Sequence, residues 1–303
     1  MTAGWRGLAL VCPACRGELA VQPSGALCGG CGAAYPEEEG LLRLVAGRSG
    51  APGFDPHYFA TLREVEVRHF WFVGRCHVVR SALRRALPDL DSRRLFDVGC
   101  GSGGLLAFLA RSGLGVAGAC DVYRESLRIV RERLDVPLVL VDEGRPLPLG
   151  EGYDLLGMFD VLEHLDDDAG ALRALRAALL PGGALILTVP AHQWLFDEMD
   201  ELAFHRRRYD RRGLRRILEQ SGFEVRLLSH FMSPVVPILL MVRSAGRVLR
   251  HRHSRLERRR AEMEVVPVFN ELMRGLLAVE RAVMGLFPLP FGSSIVAVAL
   301  RGR

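Results

Sequence analysis

The chain has 303 residues, 49% of them hydrophobic and 25% charged, with a formal net charge of +5 and a pI near 9.0. That balance excludes a disordered chain and suits one large core with a small appendage. Its seven cysteines do not suggest a secreted disulfide framework, no apolar run reaches the ~20 residues that span a bilayer, and the opening residues lack the charged start and apolar core of a signal peptide, so a cytoplasmic protein is expected.

Cys12-Pro-Ala-Cys15 and Cys28-Gly-Gly-Cys31 are two C-x-x-C knuckles. Each turns tightly enough to aim two thiolates at one ion, and the spacing between them matches a tetrahedral zinc ribbon. A closed four-cysteine shell leaves no position for substrate, so the expected Zn2+ is structural. With Tyr35-Pro36 and Gly40-Leu-Leu-Arg-Leu44, the segment 1–46 resembles the small zinc domain of Trm112-like proteins, and a ribbon also opens some rRNA guanine methyltransferases. Residues 47–57, rich in Gly, Pro and Ser, read as a linker to a body over 58–303. A helical cap is expected over 58–90, holding His69-Phe-Trp-Phe-Val-Gly-Arg75.

Arg94-Leu-Phe-Asp-Val-Gly-Cys-Gly-Ser-Gly-Gly104 organises the rest. Leu95, Phe96 and Val98 read as a buried parallel strand. The glycines Gly99, Gly101, Gly103 and Gly104 break it, and Leu105, Leu106, Phe108 and Leu109 resume at helical spacing. A strand, a glycine turn and a helix N-terminus let a ligand approach bare backbone at the carboxyl edge of a sheet. A G-x-G pair is shared with dinucleotide folds, but Asp97 would repel a pyrophosphate there and can accept a hydrogen bond from an amino group. The stretch resembles motif I, D-x-G-x-G-x-G, of the class I S-adenosylmethionine (SAM)-dependent methyltransferases. The resemblance implies a Rossmann-like, seven-stranded, mostly parallel α/β sheet that binds S-adenosyl-L-methionine at Asp97, Gly99, Gly101 and Gly103. In that family, helices ahead of motif I close over the cofactor. Arg75 is then a candidate to neutralise its carboxylate, against plain packing of the aromatics around it.

Strand and helix alternate from here, which argues a parallel sheet covered on both faces. Gly115–Cys120 ends in Asp121, placed to accept ribose hydroxyls as an acid after the second strand does in dinucleotide folds. Leu138–Val141 ends in Asp142 and Glu143, one of which the resemblance places near the adenine. Tyr153–Asp160 is the fourth strand, with Phe159 near its end a further candidate cofactor contact. Val161-Leu-Glu-His-Leu-Asp166 follows and resembles the D-V-L-E-H motif of small-molecule methyltransferases. Asp166 to Asp168 should cap a helix that Pro181-Gly-Gly183 stops, with Ala184–Val189 as the fifth strand. The polar run Pro190–Tyr209 resembles a bacterial subgroup with D-E-x-x-G-H-x-R-R-Y, where Phe204 replaces the usual glycine. Asp210 caps the next helix, and Phe223–Phe231 and Ser294–Leu300 are the last strands. Residues 231–290 form a helical insertion in which Glu271, Arg274, Glu280 and Arg281 are assigned to the wet side of an amphipathic helix.

His164 is the first candidate for removing a proton from an acceptor hydroxyl, because an imidazole titrates near neutral pH. His205 and His192 are the alternatives, and the competing view is that Glu163 and His164 only orient their loop. Three functions compete. The D-V-L-E-H motif favours O-methylation of a small-molecule, sugar or lipid-linked acceptor. The ribbon and the basic charge favour an rRNA or tRNA methyltransferase, though no N-P-P-Y-like motif follows the fourth strand. A non-catalytic partner that only holds SAM is the third, and the intact acids and glycines argue against it. The proline-broken apolar stretch after Phe231 and the arginines after Arg243 add peripheral membrane contact as an expectation.

Overall fold

The computed structural model describes residues 4–45, 56–241 and 264–302. The expected linker falls almost wholly outside them, as do the arginines of 243–260. Strands β1 (Leu19–Gln22), β2 (Gly25–Cys28) and β3 (Ala34–Glu38) form an antiparallel meander. β4 (Leu41–Leu44) turns back on β3 and then lies parallel to β7 (Leu138–Val141), with Leu41 opposite Leu138 and Leu44 opposite Val141. The cysteine-bearing segment is therefore continuous with the central sheet. Trp5 is seated in the same joint, its indole N–H donating to the Leu138 carbonyl at 3.1 Å.

The central strands are β5 (Arg94–Val98), β6 (Gly115–Asp121), β7, β8 (Tyr153–Phe159) and β9 (Leu179–Pro190), in the order β7-β6-β5-β8-β9 and all parallel. They are near-continuous apolar runs, as strands covered on both faces must be. β11 (Ser294–Arg301) lies antiparallel to β9 and to β10 (Phe223–Phe231) at the far edge. These seven strands form the expected Rossmann-like, mostly parallel sheet, and β4 to β1 extend it to eleven. Strand order reverses between β5 and β8, which opens a crevice at their carboxyl ends.

Helices cover both faces. On one side lie α2 (Phe70–Ala86), α3 (Gly104–Arg111), α4 (Arg124–Arg133) and α8 (Pro267–Leu286), whose Val79, Leu106, Leu127 and Met273 are buried against Leu95, Leu138 and Leu155. On the other lie α5 (Asp168–Ala178) and α7 (Arg211–Gln220), with the short α6 (Glu198–Leu202) between them in the chain; Leu172, Leu175, Leu214 and Leu218 are wholly buried beside Phe96 and Leu187. Each such side chain taken from water contributes roughly 1.5–3 kcal/mol. The expected single helical segment before β5 is broken into α1 (Pro56–Val65) and α2, because His69 caps α2 by accepting from the Trp71 N–H.

Two expectations need correction. β9 begins at Leu179 rather than Ala184: its register on β8 jumps from Tyr153–Leu179 to Leu155–Ala184, so Leu180–Gly183 form a bulge within the strand, Gly182 supplying φ +78°. Glu280 is not on a wet face of α8. It is 8% exposed, and its two oxygens accept the N–H groups of Met232 and Ser233, each at 2.7 Å. The wet face carries Glu271 and Arg274, as expected, together with Val268, Leu272, Leu276 and Val279, all exposed. Among the described residues no helix is long and apolar enough to cross a membrane.

Candidate active site

The glycine turn sits at the carboxyl end of β5. Gly99, Gly101 and Gly103 adopt φ of +75°, +53° and +72°, a region that costs an L side chain dearly. At Gly99 a Cβ would lie 2.5 Å from Val161, and at Gly103 2.8 Å from Val130, so those two are fixed by packing as well. A Cβ at Gly101 would meet nothing within 4 Å, and this is where bare backbone faces open space. Asp121, at the end of β6, accepts the N–H of Gly101 at 2.8 Å and of Tyr123 at 2.9 Å, which locks the turn. Burial raises its carboxyl above the usual range against those two bonds. Asp97 is 2% exposed, and burial pushes it up to about 7 against the field of Arg75, with Asp121 adding to the rise; its Oδ1 has no partner among the described residues. An unpartnered carboxylate oxygen beside open backbone suits a ligand carrying an ammonium group and a ribose. Asp142 follows β7 at the same edge and faces Arg145 at 3.6 Å. Phe159 is buried in the core on the α2 side, its ring edge against Gly157.

Glu66, in the corner between α1 and α2, carries no signal in the sequence. Its carboxylate accepts the Ser102 hydroxyl at 2.6 Å, pairs with Arg133 and faces Gly104 at the N-terminus of α3, where the helix dipole favours an anion. Arg75 stacks over Trp71, 4.8 Å from its centroid, and pairs with Asp160 just beyond β8. Asp160 has φ +54°, a left-handed non-glycine backbone at the point where the chain leaves the sheet.

Beyond Asp160, a short 3-10 turn (Leu162–His164) is tied to the loop before α7. The Arg206 N–H donates to the Glu163 carbonyl at 2.9 Å and its Nε to the His164 carbonyl at 2.8 Å. This brings His164 and His205 together, ring centroids 4.9 Å apart. His205 Nδ1 is 2.8 Å from Asp200 Oδ1, which also accepts from Arg208 Nε at 2.8 Å. Burial works against the Asp200 charge, but those two bonds hold its carboxyl below the usual range. The other ring nitrogen, Nε2, lies 3.9 Å from Glu163 Oε1. Glu163 is 0% exposed, and neither carboxylate oxygen has a partner among the described residues. Burial, with Asp160 adding, pushes its carboxyl well above the usual range. Burial, with His205 adding, pushes His164 down to about 4, and its Nδ1 is 3.3 Å from the Phe204 carbonyl. Phe204, at φ +61°, keeps the left-handed turn that a glycine would make there.

His192, at φ +65°, is stacked on His230 at 5.1 Å and 8° and flanked by Trp194 and Phe291. It is not part of the group formed by Glu163, His164 and His205. Tyr209 is buried, its hydroxyl 2.9 Å from Asp168 Oδ2.

At the other end of the sheet the sulfurs of Cys12, Cys15, Cys28 and Cys31 lie within 4.8 Å of one another, with Cys12–Cys31 at 3.7 Å and Cys15–Cys28 at 3.4 Å. Four thiolates at ~2.3 Å from a tetrahedral zinc are ~3.8 Å apart, so the set fits that ion. The Tyr35 hydroxyl, 3.1 Å from Cys12, steadies one ligand from outside.

Known proteins of similar sequence and fold agree with this geometry. A family model described as a methyltransferase domain matches residues 68–228. The ubiquinone biosynthesis O-methyltransferase of Bordetella avium is 35% identical over 102 residues, 31% of this chain and 42% of that one. Its counterpart in Methylobacterium nodulans is 33% identical over 156 residues, 50% of this chain and 56% of that one. The chain thus spans about half the length of the curated relatives it matches. Among solved structures, a chain from the complex of the Haloferax volcanii Trm112 methyltransferase activator with a methyltransferase superposes with a TM-score of 0.52 at 18% identity, over 82% of this chain and 95% of that one. The [4+2]-cyclase SpnF superposes with a TM-score of 0.51 at 18% identity, over 84% and 99%. Those two show the fold alone; the family model covers more than half of the sequence, and the chain belongs to the methyltransferase-domain family, whose cofactor is S-adenosylmethionine.

Proposed function

We propose that this chain moves a methyl group from S-adenosylmethionine to a hydroxyl of a small molecule. The observation that carries the reading is the Asp200–His205 pair, aimed at the buried Glu163 and set beside the glycine turn through the Val161–Gly99 contact. The O-methyltransferase names of the curated relatives support it. Asp97, Asp121, Gly99, Gly101 and Gly103 hold the cofactor, Asp142 lies on its adenine side, Phe159 supports the site from the end of β8, and Arg75 exchanges Asp160 for the cofactor's carboxylate. Bound there, the cofactor supplies an electrophilic methyl group on a sulfonium.

The acceptor hydroxyl must lose its proton as its oxygen is alkylated. With Nδ1–H donating to Asp200, His205 presents a bare Nε2, and His164, kept neutral by burial, stands beside it; these are the groups that drive that loss. The ribbon over 1–46 is a structural element built on Cys12, Cys15, Cys28 and Cys31, joined to the catalytic body of 58–303 through β4. The test is S-adenosylhomocysteine release with a panel of phenols, vicinal diols and amines. The expected result is turnover on hydroxyl acceptors that falls roughly 10²–10⁴-fold in His205→Ala while cofactor affinity holds. Turnover on amines alone, or an unaffected His205→Ala, contradicts the reading.

A second reading, contact with a membrane or a lipid-linked acceptor, is favoured by the exposed Val268, Leu272, Leu276 and Val279 of α8. Liposome flotation at low salt tests it, and protein that stays in solution with anionic vesicles counts against it.

A further inference from the structure

Of the groups in which three or more His, Cys, Asp or Glu side chains converge among the described residues, one is the cysteine set and the other is Glu163, His164 and His205. One ligand atom from each of these three lies within 4.8 Å of the others. Three features mark this as a place for a cation rather than a chance cluster. Both oxygens of Glu163 are buried and unpartnered, although a buried acceptor is almost always satisfied. His205 has its Nδ1 opposite Asp200 Oδ1 at 2.8 Å, so that nitrogen is the donor and Nε2 is left as a lone pair, while the His164 Nδ1 is 3.3 Å from the Phe204 carbonyl. A carboxylate behind a histidine is the usual device for orienting a metal ligand. The spacing also fits. Two ligands ~2.1 Å from one ion are at most ~4.2 Å apart, and His205 Nε2 and Glu163 Oε1 are 3.9 Å apart.

We propose that Glu163, His164 and His205 bind one divalent cation, distinct from the ribbon zinc. Two imidazoles and one carboxylate favour an ion of the Mn2+, Fe2+, Co2+ or Zn2+ kind over Ca2+, and three protein ligands leave positions open. Resting on the hydroxyl-methylation reading above, the open positions take the acceptor oxygen, and a neighbouring oxygen where the acceptor has one. Ligation weakens the O–H bond so that its proton leaves to water and the lone pair attacks the methyl carbon, the S–CH3 electron pair remaining on sulfur. The His205 Nε2 lone pair then belongs to the cation instead of accepting the proton.

The probe is Mn2+, which thiolates bind poorly, added to the full-length zinc-loaded protein in metal-depleted buffer and followed by electron paramagnetic resonance and calorimetry. The expected result is one bound Mn2+ per chain, with affinity at least tenfold weaker in Glu163→Gln and in His205→Ala, and unchanged in Arg145→Ala. Glu163→Gln is isosteric and removes an unpartnered buried acid, and cofactor binding by that variant reports that it is folded. No Mn2+ bound by the wild type, or binding indifferent to both substitutions, overturns the proposal. If the wild type methylates hydroxyl acceptors in metal-depleted buffer and binds no Mn2+, the cation fails and the methylation reading stands. If Mn2+ binds as described but no hydroxyl acceptor is methylated, the site stands and the reading fails.

Discussion

Among single residues, Asp97 costs the fold stability when its charge forms. It is 2% exposed, and burial pushes its carboxyl from 3.8 to about 7. Between those values the folded chain keeps a proton that the unfolded chain gives up, so stability falls as pH rises from about 4 to about 7 and levels off above. Asp97→Asn removes that pH dependence. Each tenfold difference in proton affinity between the two states is worth about 1.4 kcal/mol, so the cofactor-free wild type should lose a few kcal/mol more than Asp97→Asn between about pH 5 and pH 8. Urea unfolding at the two pH values measures it, and equal losses in the two proteins would contradict the burial argument. Asp97 is legible in the sequence because it sits in a motif whose glycines announce a turn. Asp200 is legible only as the first acid of the D-E-x-x-G-H-x-R-R-Y resemblance; its partners are not, because only the folded loop sets it against His205 and Arg208. Glu66 is hidden for the same reason, its partners Ser102 and Arg133 being far along the chain.

Among the elements, the central strands are legible because a strand buried on both faces has to be a continuous apolar run, though the bulged start of β9 is not. β7 and β10 fall where the sequence places them, Leu138–Val141 and Phe223–Phe231. The helix α8 shows the limit of that logic. Its two apolar stripes and its acids give no clue which acid faces inward, because the groups that select Glu280 are two backbone amides at the end of β10. The ribbon is legible as a zinc site but not as part of the sheet, since β4 is as short and apolar as an isolated strand would be. Its attachment has a measurable consequence. In Cys12→Ser, the loss of zinc removes the main support of so small a unit. Amides of β1 to β3 should then exchange with solvent at least tenfold faster, while those of β4, paired with β7, stay protected. Equal acceleration in β4 and β2 would show that the metal also holds the joint.

Across the molecule, one sheet carries two pieces of chemistry at a distance from each other. The cysteine set closes one edge, and the carboxyl ends of β5, β6, β8 and β9 bring together the glycine turn, Asp121, Asp160 and the Glu163–His164–His205 group. Methyl transfer from S-adenosylmethionine to a small-molecule hydroxyl at that edge is the proposed activity on which all of this rests. It is tested by incubating the full chain with methyl-labelled S-adenosylmethionine and, separately, with metabolite, lipid and RNA extracts, and following where the label goes. The expected result is label in the metabolite fraction as an acid-stable methyl ether, lost with His205→Ala; label in RNA, or none anywhere while the cofactor binds, would contradict it.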